Sequence, residues 1–395
     1  MRRPTPPQRT GEVGMCGIVG GLNLSAEALR AMTEAVSHRG PDDGGLFWDE
    51  SVGLGARRLA ILDLPGGRQP MISPDGRLTL VFNGEIYNFQ ELRGELEARG
   101  RRFRTRSDTE VVLCAYEEWG NRAPERLRGM FAFSLFDRDA GTLFLARDRL
   151  GIKPLYYYDG PQGFLFASEV RALFKTGRIP LRLCLEALYS YLLFGSVQEP
   201  LTLAEGVYSL PPAHALEVNL RTGNRRTWRY WNFPEGTRDG NPRTVGMALA
   251  EAIRSHLVAD VPLGVFLSGG LDSATLVALA SRTGGGLRTF TLAFGEEGFS
   301  EAEVARRTAE HFGTDHTEVL VTPEEILRHL PQALSAMDQP TMDGINTSLV
   351  SWAAREAGLK VALSGIGGDE LFAGYSTFTT VPRMARLRAL LGPMG

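Results

Sequence analysis

The chain has 395 residues, enough for two or three domains with cores of their own. It is 43% hydrophobic and 23% charged with a formal net charge of −3, so it lacks the basic excess that nucleic acid or an anionic membrane surface would demand. No apolar run reaches membrane-spanning length, and no apolar segment follows the basic start as in a signal peptide; three scattered cysteines make neither a disulfide framework nor a zinc site, so a reduced, cytoplasmic setting is expected.

Residues 1–14 are rich in Pro, Arg and Gly and read as disordered. Met15-Cys16-Gly17-Ile18-Val19 follows. Removal of everything through Met15 would leave Cys16 as a free amino terminus, whose α-amine, with a pKa near ~8, can take the thiol proton. The other reading of Cys16 is a small buried residue in the first strand. Ser25 to Ser37 reads as a capped helix with Leu29, Met32 and Val36 on one face, and His38–Gly44 is a polar loop. Val52 to Leu62 alternates like a strand around Arg57 and Arg58. Leu78–Phe82 is another strand, running into Asn83-Gly84-Glu85-Ile86-Tyr87-Asn88.

Asn83 could offer a side-chain amide and Gly84 an unobstructed N–H, the two donors an oxyanion hole needs. Asn-Gly is also the commonest hairpin turn, although a helix with Asn88 as its N-cap follows. Ser107-Asp108-Thr109-Glu110 is a capping box for a helix ending at Trp119-Gly120, with Asp108 serving either the helix dipole or a substrate amine. Met130–Asp137 and Thr142–Asp148 form a hairpin around Asp139-Ala140-Gly141, and Leu155–Tyr158 and Phe164–Ala167 add strands. Antiparallel pairs with intervening helices make this half an α+β sandwich.

Cys16-Gly17-Ile18, His38-Arg39-Gly40-Pro41-Asp42, Arg58-Leu59-Ala60-Ile61, Asn83–Asn88, Ser107–Glu110 and Arg147–Tyr157 occur in that order. Together they resemble the glutamine amidohydrolase domain of the N-terminal-nucleophile amidotransferases. The resemblance implies an αββα sandwich in which Cys16 attacks the carboxamide of glutamine. It also implies Asn83 and Gly84 as the oxyanion hole, with Arg58, Glu85 and Asp108 holding the α-carboxylate and α-amine of the substrate.

Residues 180–235 form the passage between halves, with a helix over Leu185–Phe194 and Leu210-Pro211-Pro212-Ala213-His214 beyond it. The family usually has glycine where Ala213 stands, a change expected only to reshape a turn. Beyond the Pro/Gly-rich linker from Pro234 to Pro242, strands alternate with helices, the pattern of a parallel sheet. Val261–Leu267 reads as a buried strand and Ala274–Ala280 as a helix, with Ser268-Gly269-Gly270-Leu271-Asp272-Ser273 between them. Strand, glycine turn and helix aim backbone N–H groups and a positive helix end at an anion. Ser268 and Ser273 add donors, and Asp272 is placed to hold a Mg²⁺ that a phosphate carries. The plainer reading is a tight turn of small residues. Further strands are expected over Arg288–Phe294, His316–Val321 and Lys360–Ser364, with Ser300–Glu303 capping a helix that runs to Phe312. The last strand opens into Ser364-Gly365-Ile366-Gly367-Gly368-Asp369-Glu370-Leu371-Phe372-Ala373-Gly374-Tyr375. No Gly-Lys-Ser/Thr is present, so the turn is not a Walker-type phosphate loop.

These two loops resemble the doubly wound ATP-pyrophosphatase domain of the asparagine synthetases, and the order of the domains matches. The resemblance implies that Ser268, Gly269, Gly270, Asp272 and Ser273 hold the pyrophosphate end of ATP, and that Phe266, Leu292, Ser364 and Gly365 line the adenosine pocket. Asp369, Glu370 and Tyr375 fall to the synthetase site, with Asp272 and Asp369 as Mg²⁺ ligands. The implied domains are a glutaminase over 15–233 and a synthetase over 234–395. The implied partners are glutamine and a carboxylate, aspartate by family, with a homodimer as the usual assembly.

Three departures qualify the likeness. Many asparagine synthetases carry an acid where Ile366 stands, which opens the identity of the acceptor. Relatives continue past Gly395 with further helices and a lysine of the synthetase site, so an incomplete domain or a chain without synthetase activity is the alternative. Residues 1–14 would convert the α-amine of Cys16 into a non-basic amide, at a cost on the order of 10²–10⁴ in rate, so either translation starting at Met15 or cleavage is expected.

Overall fold

Alternation along the strands of the first half sorts their side chains onto two faces. Leu78, Leu80 and Phe82 pack outward with Phe131 and Phe133, whereas Val81 joins Ile18, Leu54, Ala56 and Ala132 in a separate inner cluster. The computed structural model describes residues 15–234, 236, 240–284, 286–294 and 301–391. The expected disorder of 1–14, and Ser300 as a helix cap, lie outside these residues. By contact the chain forms two units, the first ending at Asp239 and taking in Ala259–Val261 and Ile326–Arg355, the second formed by Gly240–Val258, Pro262–Glu325 and Glu356 onward.

The first unit holds two six-stranded antiparallel sheets. One runs Val207–Ser209, Tyr156–Gly160, Gly163–Ala167, Gly17–Leu22, Val52–Arg58, Asp43–Trp48. The other runs Arg225–Arg229, His214–Asn219, Thr142–Arg147, Gly129–Asp137, Leu78–Ile86, Met71–Ile72. The inner cluster fills the space between the sheets. Outside the first, the helix Ala26–Ala35 sets Leu29 and Met32 on Val19 and Leu165; outside the second, Phe89–Ala98 and Asp108–Trp119 set Leu92, Leu96, Val111 and Val112 on Leu80 and Phe82. These layers are the expected αββα sandwich.

Local details differ from expectation. The strand runs unbroken through Asn83-Gly84 to Ile86, so the pair makes no hairpin turn. Asn88 does not cap its helix; its side chain donates to Arg126 O at 3.0 Å and accepts from Arg128 N at 2.9 Å. Ser107 caps its helix by accepting from Thr109 N at 3.1 Å, but the box is not reciprocal, because Glu110 accepts from Thr105 N at 2.7 Å instead. Ala213 keeps a glycine-like turn by adopting φ +60° rather than reshaping it.

The second unit is built on a parallel sheet ordered Asp315–Val321, Arg288–Phe294, Leu263–Phe266, Val361–Leu363. The first strand in sequence, Leu263–Phe266, is flanked by the second and the last, which makes the gap between it and Val361–Leu363 a topological switch point. Val265 and Leu267 pack with Val277 from the helix Leu271–Ala280 and with Ala305 and Ala309 from the helix Ala302–Phe312.

Candidate functional site

The same alternation builds the first site. Ile18, Leu54, Ala56 and Val81 all face the space between the sheets, so Cys16, Arg58, Asn83 and Glu85, each two residues or a multiple of two away, face it too. Gly17 pairs with Arg57, which brings Cys16 alongside Arg58. Gly40 lies so close to the backbone of Arg57 and Arg58, 2.2–2.4 Å from where its Cβ would be, that only glycine lets the His38–Asp42 loop pass there.

Arg58 is buried and held by the carbonyls of Leu62, Asp63 and Leu64 at 2.8–2.9 Å. Three of its five N–H groups are thereby engaged, and the others remain for an anion. On the outer edge of the Leu78–Ile86 strand, Phe82 N donates to Gln69 Oε1 at 2.7 Å and Ile86 N to Asp108 Oδ2 at 3.0 Å. Gly84 N–H, midway between them, points to the same edge by the two-residue repeat. Beside it the Asn83 side chain is buried, and neither its Nδ2 nor its Oδ1 has a hydrogen-bond partner among the described residues. A buried amide left unpaired costs about 1–3 kcal/mol, which a bound oxyanion would recover.

Titration reflects this crowding. Burial pushes the Cys16 thiol up to about 11, with the Glu85 carboxylate adding to the rise while Lys153 and Arg58 oppose it. Burial, then the Asp108 charge, raises Glu85 well above the ordinary carboxylate range. Asp108 itself is raised by burial to about 6, despite hydrogen bonds from Ile86 and Thr109. Lys153, which donates to Met15 Sδ at 3.3 Å, is pulled below the usual lysine value by burial and by Arg39. Glu85, Lys153 and Arg58 thus act on Cys16 from residues far apart in the chain.

The second site lies at the switch point. Gly269 N donates to Glu301 Oε2 at 2.8 Å, so the glycine turn already takes an anionic oxygen. Ser273 Oγ ties the turn together, 2.9 Å from Ser268 Oγ and accepting from Ser268 N at 3.1 Å. The loop after Val361–Leu363 packs directly on this turn: a Cβ on Gly365 would lie 3.0 Å from Asp272 Cβ, and one on Gly368 only 2.3 Å from Asp272 Oδ2. Asp369 abuts Gly374, whose N–H donates to its carbonyl at 2.9 Å, and Tyr375 Oη donates to Glu370 Oε1 at 2.8 Å. Tyr375 feels the charges of Glu370, Asp369 and Asp272, which places all four around one loop pair. Phe266 ends one of the two strands that flank the switch point, Ser364 directly follows the other, and Leu292 lies on the neighbouring strand. Ile366 is 87% exposed and offers no polar group. Among the described residues no cluster of three or more His, Cys, Asp or Glu is arranged to hold a metal, so any Mg²⁺ here would depend on oxygens brought by a ligand.

His38, Arg39, Asp148 and Lys153 lie within the sequence blocks that carry the resemblance, with no role expected of them there. Asp148 accepts from the amides of Phe131, Leu150, Ile152 and Lys153 at 2.9–3.2 Å and so shapes the loop that delivers Lys153. Glu301 was read only as part of a helix cap. Glu169, bonded to both His38 and Arg39, carried no sequence signal.

Residues 15–231 match the glutamine amidotransferase domain family and residues 244–391 the asparagine synthase family. The chain is 39% identical over 379 residues to glutamine-hydrolysing asparagine synthetase 1 of Bacillus subtilis (strain 168), covering 92% of this chain and 59% of that protein. It is 35% identical over 396 residues to glutamine-hydrolysing asparagine synthetase 3 of the same organism, covering 93% and 64% respectively. The chain therefore spans about six-tenths of the length of these relatives. Among solved structures, a glutamine phosphoribosylpyrophosphate amidotransferase from B. subtilis complexed with ADP and GMP matches at 16% identity and TM-score 0.41, over 88% of this chain and 81% of that one.

Proposed function

The chain belongs to the glutamine-hydrolysing asparagine synthetase family, and from that premise we propose that it takes ammonia from glutamine and uses it to amidate an ATP-activated carboxylate, aspartate, releasing AMP and pyrophosphate. The observation that carries the first half is the meeting of Cys16 with Arg58, Glu85 and Asp108 beside the unpaired amide of Asn83. The Cys16 thiol attacks the carboxamide carbon. Asn83 Nδ2 and Gly84 N–H receive the oxyanion, Arg58 takes the α-carboxylate, and Glu85 and Asp108 take the α-ammonium. A thiol held near 11 is protonated at neutral pH, so attack needs a base at hand. The α-amine of Cys16, once the residues ahead of it are gone, is the base we assign.

In the second half a carboxylate is too electron-rich for ammonia to attack and is activated as its acyl-adenylate. The glycine turn fits a pyrophosphate, because its Gly269 N–H already binds a carboxylate oxygen and no side chain at Gly365 or Gly368 intrudes. Ser268, Gly269, Gly270 and Ser273 hold the phosphates, while Phe266, Leu292, Ser364 and Gly365 take the adenosine. Glu370 and Tyr375 border the acceptor. Asp272 and Asp369 would hold Mg²⁺, whose charge eases the approach of the carboxylate to ATP. We place the protein in the cytoplasm, which the unpaired state of Cys16, Cys114 and Cys184 supports, and propose a homodimer on the family resemblance.

Incubation with glutamine, ATP, Mg²⁺ and aspartate tests the reading, following ammonia, pyrophosphate and asparagine. Pyrophosphate released with another carboxylate but not with aspartate sinks aspartate as acceptor, and exposed, apolar Ile366 supports that alternative. Ammonia without AMP leaves a glutaminase alone.

A further inference from the structure

A chain of buried and half-buried charges starts on the backbone of Cys16 and ends far downstream. Arg39 Nε donates to the Cys16 carbonyl at 3.1 Å, and its Nη1 donates to Glu169 Oε1 at 3.0 Å. His38 Nε2 meets the same oxygen at 2.7 Å. Burial alone would raise Glu169, but hydrogen bonds and charge from His38 and Arg39 outweigh it and hold the carboxylate below its ordinary pKa. Arg171 Nε lies 3.1 Å from Glu169 Oε2 and 3.2 Å from Asp338 Oδ1.

Asp338 does more than pair with Arg171. Val170 N and Arg171 N donate to its two oxygens at 2.6 and 2.9 Å, capping the Val170–Phe174 helix, whose own N-cap residue Glu169 supplies no side-chain cap. The Arg171 fork also reaches the carbonyls of Ser335 and Ala336 at 3.0 and 2.6 Å. Next along, Gln339 Oε1 accepts from Leu203 N at 2.9 Å and Met342 N donates to Gly195 O at 3.0 Å, so the 335–342 stretch is tied to the 195–203 segment within the first unit. Burial raises Asp338 above its usual value, which is the cost of placing this carboxylate here.

We propose that Asp338 is a positioning residue for the glutaminase reaction: by capping Val170–Phe174 and clamping Arg171 against Glu169, it keeps Arg39 on the Cys16 carbonyl and thereby aims the thiol. The carbonyl that Arg39 grips belongs to the nucleophile's own residue, so any loosening rotates the Cα–Cβ bond that carries Sγ. Asp338 lies outside the 15–231 glutamine amidotransferase match and inside the 244–391 asparagine synthase match, so the aim of the nucleophile depends on the second half of the chain. The proposal rests on the reading of Cys16 as the glutamine nucleophile.

The test uses the full chain and its Asp338→Asn, Glu169→Gln and double variants, with kcat and KM for ammonia release from glutamine. The expected result is a kcat lowered roughly tenfold or more in each single variant with KM nearly unchanged, since misplacement costs rate rather than substrate contacts. The double variant should be little worse than either single one, because both break the same chain. Labelling of Cys16 by a diazoketone analogue of glutamine, read by peptide mass, should slow in parallel. Arg171→Gln opens the clamp from its other side and serves if Asp338→Asn does not fold. An active wild type with variants at wild-type kcat, or with additive losses, overturns the proposal alone. A wild type that releases no ammonia overturns the functional reading and this proposal with it.

Discussion

The Asp108 carboxylate accepts the amide of Ile86 at 3.0 Å, one residue beyond Glu85, so a strand and a helix start bring two acids into one buried space. Burial, and then Asp108's charge, raises Glu85, and burial raises Asp108 to about 6. Without a cation between them the two cannot both ionise cheaply. In the proposed reaction the α-ammonium of glutamine supplies that cation.

This relationship fixes a pH dependence. The glutamine KM should rise as pH falls through about 6, where Asp108 protonates and loses its hold on the ammonium. Asp108→Asn should remove that limb and raise KM roughly 10- to 100-fold at neutral pH, the worth of a charged hydrogen bond. A KM flat from pH 5 to 8 in the wild type would argue against the assignment.

The same pair has a sign for stability. A carboxylate whose pKa is raised on folding binds its proton more tightly in the native state, so its contribution is present below the unfolded pKa of 3.8 and is lost as pH rises through about 6 for Asp108. Glu85→Gln, which carries no charge to bury, should therefore melt higher than the wild type at pH 8 while differing little at pH 4. Thermal denaturation at the two pH values reads this directly.

Cys16→Ala should abolish ammonia release from glutamine while leaving synthesis from added ammonium salt, if the second half is active. In a chain that still begins at Met1, alkylation of Cys16 should climb toward pH 11, following its raised thiol. Protein whose intact mass shows Cys16 at the amino terminus should react at lower pH. A chain starting at Met1 with full glutamine activity would contradict the assignment of the α-amine as base.

Asp272→Asn should cut pyrophosphate formation on the order of 10²-fold or more, as loss of a charge-stabilising group does, and leave ammonia release from glutamine intact. Equal loss of both activities would point to misfolding instead.

Ala213 holds φ +60° with its N–H donating to Asp148 O at 2.8 Å, a conformation that suits glycine. Ala213→Gly should stabilise by roughly 0.5–1 kcal/mol, the relief of left-handed strain less the extra entropy of an unfolded glycine. A lower melting temperature would show that the Ala213 methyl packs better than this allows.

Much of the molecule is legible in the amino-acid sequence. Period-two alternation in Leu78–Phe82 and Thr142–Asp148, glycine turns at strand ends and the capping serines at 25 and 107 are local signals, because each depends on neighbours within a few residues. They suffice for two sandwiched sheets, a parallel sheet beyond them, and the chemistry on offer at Cys16 and at Ser268–Ser273. Polar side chains that choose distant partners were not legible. Asn88 and Glu110 have the right types and spacing for local caps, yet they bond to Arg126, Arg128, Arg104 and Thr105 instead, since packing left those backbone groups unpaired.

For this protein, then, the amino-acid order alone settled which reactive groups exist and the turn or strand each occupies, because those follow from short-range backbone preference and hydrophobic period. Only the folded chain decided which groups meet. Strand alternation turns Cys16, Arg58, Asn83 and Glu85 into one inter-sheet space, and the sheet order sets the Asp272 turn against the Gly365–Asp369 loop. The hold of Asp338 on Arg171 joins residues 167 apart in sequence, and no periodicity encodes a contact between a helix start and a loop so distant; it arises because the fold sets the Asp338 carboxylate against the unpaired amides of that helix start.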